Sequence, residues 1–143
     1  MHTLRRVIRR QDLIAAPRTA IVMEVASLMT DARVGAICIL DGDRLVGVFS
    51  ERDLMTRVLV AGRDPRKTPV GDVMTREVVT ASMDDSRADC LEKMQERGFR
   101  HLPVLEGNRV VAMLSMRDLL SDEIAEQREE LLGLHAYLHS TPL

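Results

Sequence analysis

The chain has 143 residues, 45% apolar and 29% charged, which fits one ordinary domain or two very small ones and excludes a disordered, collagenous or mucin-like chain. Net charge is −2 from 20 basic and 22 acidic residues, so neither nucleic acid nor an anionic membrane is an expected partner. The only aromatics are Phe49, Phe99 and Tyr137, so the predicted core is aliphatic, with nine Met, and rings for stacking single-stranded bases are lacking.

The first ten residues are basic but lack the apolar run of a secretory signal. Leu13-Ile14-Ala15 reads as a short strand, and Thr19 as the cap of a helix whose Val22, Val25, Ala26 and Met29 share one face. Apolar runs at 36–40 and 45–49 flank Asp41-Gly42-Asp43, a strong hairpin signal. Ser50 opens the next turn, and a second helix is predicted to begin near Asp53. Asp64-Pro-Arg-Lys-Thr-Pro69 reads as a linker. The same order then returns: Val78-Val79-Thr80, a cap at Asp84, and a helix with Cys90, Leu91 and Met94 on one face. Strands at 102–105 and 110–114 follow around Glu106-Gly107-Asn108, then Ser115 and a helix near Asp118. Cys38 and Cys90 sit in apolar stretches and read as buried, reduced thiols, which fits a cytoplasmic protein. No apolar stretch is long enough to cross a bilayer.

This recurrence is an internal repeat. Sliding the chain by 65 positions lays 35–54 on 100–119 without a gap, with Leu40/Leu105, Gly42/Gly107, Arg44/Arg109, Val46/Val111, Ser50/Ser115, Arg52/Arg117, Asp53/Asp118 and Leu54/Leu119 identical. The predicted fold class is α+β: two pseudo-symmetric β-α-β-β-α repeats, 4–68 and 69–122, packed sheet to sheet, with a helical tail at 123–143. One repeat alone makes a poor core, which a second copy facing it would cover.

Gly47-Val-Phe-Ser-Glu-Arg-Asp53, Val73-Met74-Thr75, Phe99-Arg-His-Leu-Pro-Val104 and Ala112-Met-Leu-Ser-Met-Arg-Asp118 carry a resemblance. The sequence resembles a tandem pair of CBS (cystathionine beta-synthase) domains, a Bateman module, over about residues 7–122. The resemblance implies a homodimeric, non-catalytic regulatory module. It would bind an adenosine-containing ligand in clefts between the repeats: AMP first, with ADP, ATP, NAD(H) or S-adenosylmethionine also fitting. By matching position, Asp53 and Asp118 become ribose ligands, and Ser50 and Ser115 become phosphate or ribose-side donors. Ala112 departs from the family pattern, which has Gly there.

Physical chemistry supports the same residues. A carboxylate offers two acceptors to a vicinal diol. A Ser before a helix adds its hydroxyl to free N–H groups, an anion site. Arg52 and Arg117 add charge for a phosphate. Ser50 and Ser115 also read as helix caps with Asp53 and Asp118 at N3, a variant capping box compatible with ligand contact. Arg100 and His101, at the start of a strand, are phosphate candidates; their first-repeat counterparts are Gly35 and Ala36. Expected adenine liners are Val79, Thr80, Ala81, Leu102 and Pro103 in one cleft and Ile14, Ala15 and Ile37 in the other.

Leu120, Ile124, Gln127, Leu131, Leu134 and Leu138 follow a 4-3-4-3-4 spacing, a heptad-like seam. It is expected to pack on its own module or on its twin. Leu54, Met55, Val58 and Leu59 with Leu119, Leu120 and Ile124 are the expected dimer contacts. No nucleophile–base pair, metal cluster or Gly-rich phosphate loop points to an enzyme. The regulated partner must then be a separate effector protein. The alternative reading is a ligand-independent homodimeric scaffold.

Overall fold

The computed structural model describes residues 3–8 and 13–140, without the side chains of Arg6 and Ser140. After a short helix α1 (Leu4–Val7), the first sheet holds β1 (Ala15–Pro17), β2 (Ala36–Asp41) and β3 (Arg44–Ser50) in that order. Strand β1 runs parallel to β2, which requires a crossover, supplied by α2 (Val22–Ala32); β2 and β3 are antiparallel. After β3 comes α3 (Glu51–Asp53), which widens into a π-helical segment, Leu54–Leu59.

The second sheet repeats this with β4 (Ala81–Ser82), β5 (His101–Glu106) and β6 (Arg109–Ser115), α4 (Arg87–Arg97) as crossover, and α5 (Met116–Ser140) last. Both hairpins turn at a glycine with positive φ, Gly42 at 61° and Gly107 at 64°. Register shifts fall at Ile39/Leu40 and at Val104/Leu105, equivalent positions of the two repeats. Even the bulge is duplicated.

The predicted order of elements holds, but several boundaries move. The first strand of each repeat pairs at 15–17 and 81–82, not at 13–15 and 78–80. Pairing is fixed by the partner strand, Ala15 beside Cys38 and Ala81 beside Val104. Val78-Val79-Thr80 is therefore chain leading into the sheet. The helix caps are Ile21 and Ser86, not Thr19 and Asp84. Ser86 accepts from the Asp89 N–H, while Asp89 returns a bond to the Ser86 N–H, a capping box worth about 1 kcal/mol.

Ile21 has no side chain that can cap. The linker does the work instead: Thr68 C=O accepts from the Val22 N–H and Pro65 C=O from the Met23 N–H, both at 2.9 Å. The stretch 64–69 is thus a packed part of the first repeat's helix terminus.

The two cores exchange their leading segments. The first core holds Val22, Val25, Ile37, Ile39 and Phe49, and it is completed by Val70, Val73 and Met74 from the start of the second repeat. The second core holds Cys90, Met94, Leu102, Leu114 and Leu119, and it is completed by Leu4, fully buried, with Val7 and Ile8 against it. Backbone bonds pin both segments, Val70 N–H to Ala20 C=O at 2.7 Å and Leu4 N–H to Asp85 C=O at 3.0 Å. The sheets themselves meet through β2, β3 and β6.

Candidate functional site

Each repeat ends its hairpin on the same device. Ser50 caps α3, its Oγ accepting from the Asp53 N–H at 3.2 Å while Asp53 Oδ2 accepts from the Ser50 N–H at 3.0 Å. Ser115 and Asp118 make the matching pair at the start of α5, at 3.1 and 3.0 Å. The helices start at Glu51 and Met116, two residues before the expected Asp53 and Asp118. A further lock repeats as well: Gly35 C=O accepts from the Glu51 N–H, and Arg100 C=O from the Met116 N–H.

Beyond this shared frame the two carboxylates differ. Asp53 is 7% exposed, and its remaining acceptor capacity is in use. Oδ2 also takes the Ser50 hydroxyl at 3.0 Å; Oδ1 takes the Thr75 hydroxyl at 3.0 Å and lies 3.4 Å from Arg57 Nε. Arg57 donates as well to Met74 C=O at 3.1 Å. Val48 and Thr75 exchange backbone hydrogen bonds at 3.0 and 2.9 Å. Gly47 makes this approach possible, because a Cβ there would stand 2.5 Å from Met74 Sδ and 2.9 Å from Thr75 O. The strap 73–75 is therefore clamped over Asp53.

Asp118 has no such clamp among the described residues. Its Oδ1 takes no hydrogen bond there, and the Ser115 hydroxyl proton has no acceptor there. The counterpart of Arg57 is Asp122, which pairs with Arg87 at 2.7 Å instead. Asp118 lines a cavity of about 310 Å³ with Val7, Ile8, Ala112, Leu114 and Asp122. That is the lower end of the size range of small-molecule sites.

His101 pairs with Ser115 across the β5–β6 ladder. Its ring lies against Gly35 of the other repeat: a Cβ on Gly35 would be 3.4 Å from His101 Cε1 and 3.7 Å from the Glu51 carboxyl carbon. Burial holds the imidazole below its ordinary value of 6.5, opposed by the charges of Asp118 and Glu51 and aided by Arg100. Arg100, His101, Ser115 and Asp118 thus stand around the starts of one strand and one helix, and of these the His101 ring lies against the first repeat.

The other candidates are distributed differently. Thr80 lines a second cleft, of about 460 Å³, with Val78, Arg44, Val46, Arg76 and Asn108, so it joins both repeats but not the Asp118 cavity. Val79, Ile14 and Ala15 are half-buried, and Arg52 and Arg117 are exposed. The side chains of Ile37, Ala81 and Leu102 lie in the cores, so a ligand could meet only their backbones; Pro103 is likewise buried. Thr75, Arg57, Glu51 and Gly35 were not singled out as site residues. Thr75, within Val73-Met74-Thr75, reaches Asp53 by a purely tertiary contact. Burial pushes the Cys38 thiol up to about 12 and Cys90 to about 11, so neither is an activated nucleophile. No helix among the described residues is long and apolar enough to cross a membrane.

A family model for the CBS domain matches residues 4–60 and 70–123. The chain is 31% identical over 122 residues to the mitochondrial CBS domain-containing protein CBSX3 of Arabidopsis thaliana, covering 82% of this chain and 59% of that one. It is 32% identical over 106 residues to the CBS domain-containing protein YhcV of Bacillus subtilis, covering 74% and 75%. Against the longer Arabidopsis protein CBSCBSPB1 it spans 22% of the relative's length, so the chain spans less than two thirds of the length of several curated relatives it matches. A CBS-domain-containing protein from Agrobacterium tumefaciens matches with TM-score 0.77 at 25% identity, covering 85% of this chain and 99% of that one. A CBS domain protein from Pyrobaculum aerophilum, solved in complex with AMP, matches with TM-score 0.74 at 26% identity, covering 82% and 89%. Duplicated sheets, duplicated Ser–Asp caps and these matches lead to one assignment: the chain belongs to the CBS domain family, as a tandem pair of CBS domains.

Proposed function

We propose that the chain is a non-catalytic regulatory module that binds an adenosine-containing ligand, AMP first, on the Asp118 side of the pair. The observation that carries this reading is the difference between the two carboxylates. Asp53 is saturated by Ser50, Thr75 and Arg57, whereas Asp118, among the described residues, keeps one oxygen for a ribose diol. Ser115 offers a hydroxyl proton beside it, Arg100 supplies positive charge for a phosphate, and the neutral His101 ring can donate an N–H to it. The relative from Pyrobaculum aerophilum, solved with AMP, supports the ligand class. ATP, NAD(H) and S-adenosylmethionine remain in the panel to be tested.

Binding across the junction of the repeats would favour one relative orientation over another, and an effector protein would read that difference. The module would work as a homodimer in the cytoplasm. Two buried, reduced thiols suit a reducing compartment. Exposed Met55 and Leu59, with their counterparts Leu120 and Ile124, are suited to an isologous contact. Val58 and Leu119, also expected there, are fully buried in the cores and drop out. Native mass spectrometry of the protein with AMP, ATP, S-adenosylmethionine and NADH tests the ligand class. At least one adduct is expected, with AMP retained best; no adduct with any of the four would favour the ligand-independent scaffold.

A further inference from the structure

The family match ends at residue 123, but α5 runs on to Ser140. Along this extension an apolar seam is exposed among the described residues. Leu120, Ile124, Leu131, Leu134 and Leu138 are 46–66% exposed. A lone helix of this length, with that much apolar surface in water, is marginal at best.

Its own module does not use this face. Asp122 and Glu126 pair with Arg87 of α4, and Asp122, Ala125 and Glu129 line the cavity beside Val7 and Ile8. At 3.6 residues per turn, these positions lie on the side of α5 opposite the Leu120–Leu138 seam. The expectation that the seam packs on its own module is therefore not met.

Charge decides what covers it. With Ile124, Leu131 and Leu138 at a and Leu120, Gln127 and Leu134 at d, the g positions are Glu123, Glu130 and Tyr137, and the e positions are Ser121, Arg128 and His135. One flank of the seam carries the Glu123 and Glu130 carboxylates, and the other carries the Arg128 guanidinium. In a parallel, in-register pair a g side chain meets the partner's e side chain five residues on. Glu123 would then face Arg128 of the partner subunit, and Glu130 would face His135 of the partner subunit. An antiparallel pair would set acidic flank on acidic flank and basic on basic. Gln127, a single polar residue in the seam, would hold register at some cost in stability.

We propose that the α5 extensions of two copies form a short parallel coiled coil along the seam from Leu120 to Leu138. This deepens the homodimer reading above and rests on it. It gives the dimer a direction: both extensions leave their modules side by side, so the two modules stand at the same end of the coil.

The test uses the full chain with Leu138→Cys. The native thiols are buried and protonated, so they should not compete. Parallel pairing puts the two new thiols in contact, and mild oxidation should give a disulfide-linked dimer almost completely, while Ala136→Cys, off the seam, should not link. An antiparallel pair would hold residue 138 about 27 Å from its twin, beside residue 120. A dimeric mass in sedimentation without Leu138→Cys cross-linking overturns the parallel coil but leaves the dimer. A monomeric mass overturns both. Glu123→Lys should weaken dimerisation several-fold, and adding Arg128→Glu should restore it. An unchanged dissociation constant in Glu123→Lys would contradict the charge argument.

Discussion

Asp53 and Asp118 occupy the same place in two copies of one motif, yet their surroundings give them different work. Asp53 holds a strap through Thr75 and Arg57. Removing it leaves the half-buried Thr75 hydroxyl without its acceptor and leaves Arg57 with the Met74 C=O alone. Asp53→Ala should therefore cost about 2–3 kcal/mol in urea unfolding, and Asp118→Ala only about 1 kcal/mol, the value of its cap. Equal losses would mean that the clamp contributes nothing.

His101 adds a pH dependence. Its folded-state value is depressed below 6.5 by burial, so the unfolded chain takes up the proton first as pH falls. Stability should be full above about pH 6.5 and decline below it, and His101→Asn should flatten that decline. A bound phosphate would oppose the desolvation, so the His101 titration followed by NMR should move upward when AMP is added. The Ser–Asp pairs and His101 were legible in the sequence because their chemistry is local. Thr75 was not, because only tertiary packing brings a residue 22 positions away onto Asp53, whereas the Arg57 pair, four residues on along the same helix, is a local signal that went unread.

Among the elements, the hairpins were the easiest to read, since Gly42 and Gly107 must adopt positive φ between apolar runs. The first strands were read two to three residues early, because β-branched composition marks extended chain but not where pairing begins. The cap of α2 could not be read at all, since its acceptors arrive from the linker at Pro65 and Thr68. The helix ends hold another difference. Gly98 closes α4 in the left-handed conformation at φ 71°, whereas Arg33, its counterpart, closes α2 at φ 58° with a full side chain. Arg33→Gly should relieve that strain by about 1 kcal/mol, raising Tm by roughly 3 °C. Gly47 is constrained by contact, not by φ. Gly47→Ala should cost about 1–3 kcal/mol by pushing on Met74 and the Thr75 carbonyl, and an unchanged urea midpoint would refute the close approach.

At the scale of the molecule, the repeat seen in the sequence is not the unit of packing. Leu4 belongs to the second core, and Val70, Val73 and Met74 to the first. No periodicity reveals this, because a segment's amphipathic pattern is the same whichever core receives it. The exchange makes the repeats interdependent. Leu4→Ala, at the chain's N-terminal end, should lose about 3 kcal/mol, and hydrogen exchange should rise first in β5 and β6. Rising exchange confined to β2 and β3 would contradict the exchange of segments. The same interdependence explains how a ligand at their junction could be felt throughout the module.

The central claim, one open ribose-binding carboxylate at Asp118 and one closed at Asp53, is tested most directly by calorimetric titration of AMP into three folded proteins: the parent chain, Asp53→Asn and Asp118→Asn. The account predicts that Asp118→Asn weakens AMP binding at least tenfold, by loss of a charged hydrogen-bond acceptor, while Asp53→Asn binds within about twofold of the parent. Equal weakening in both variants, or loss in Asp53→Asn alone, would contradict it.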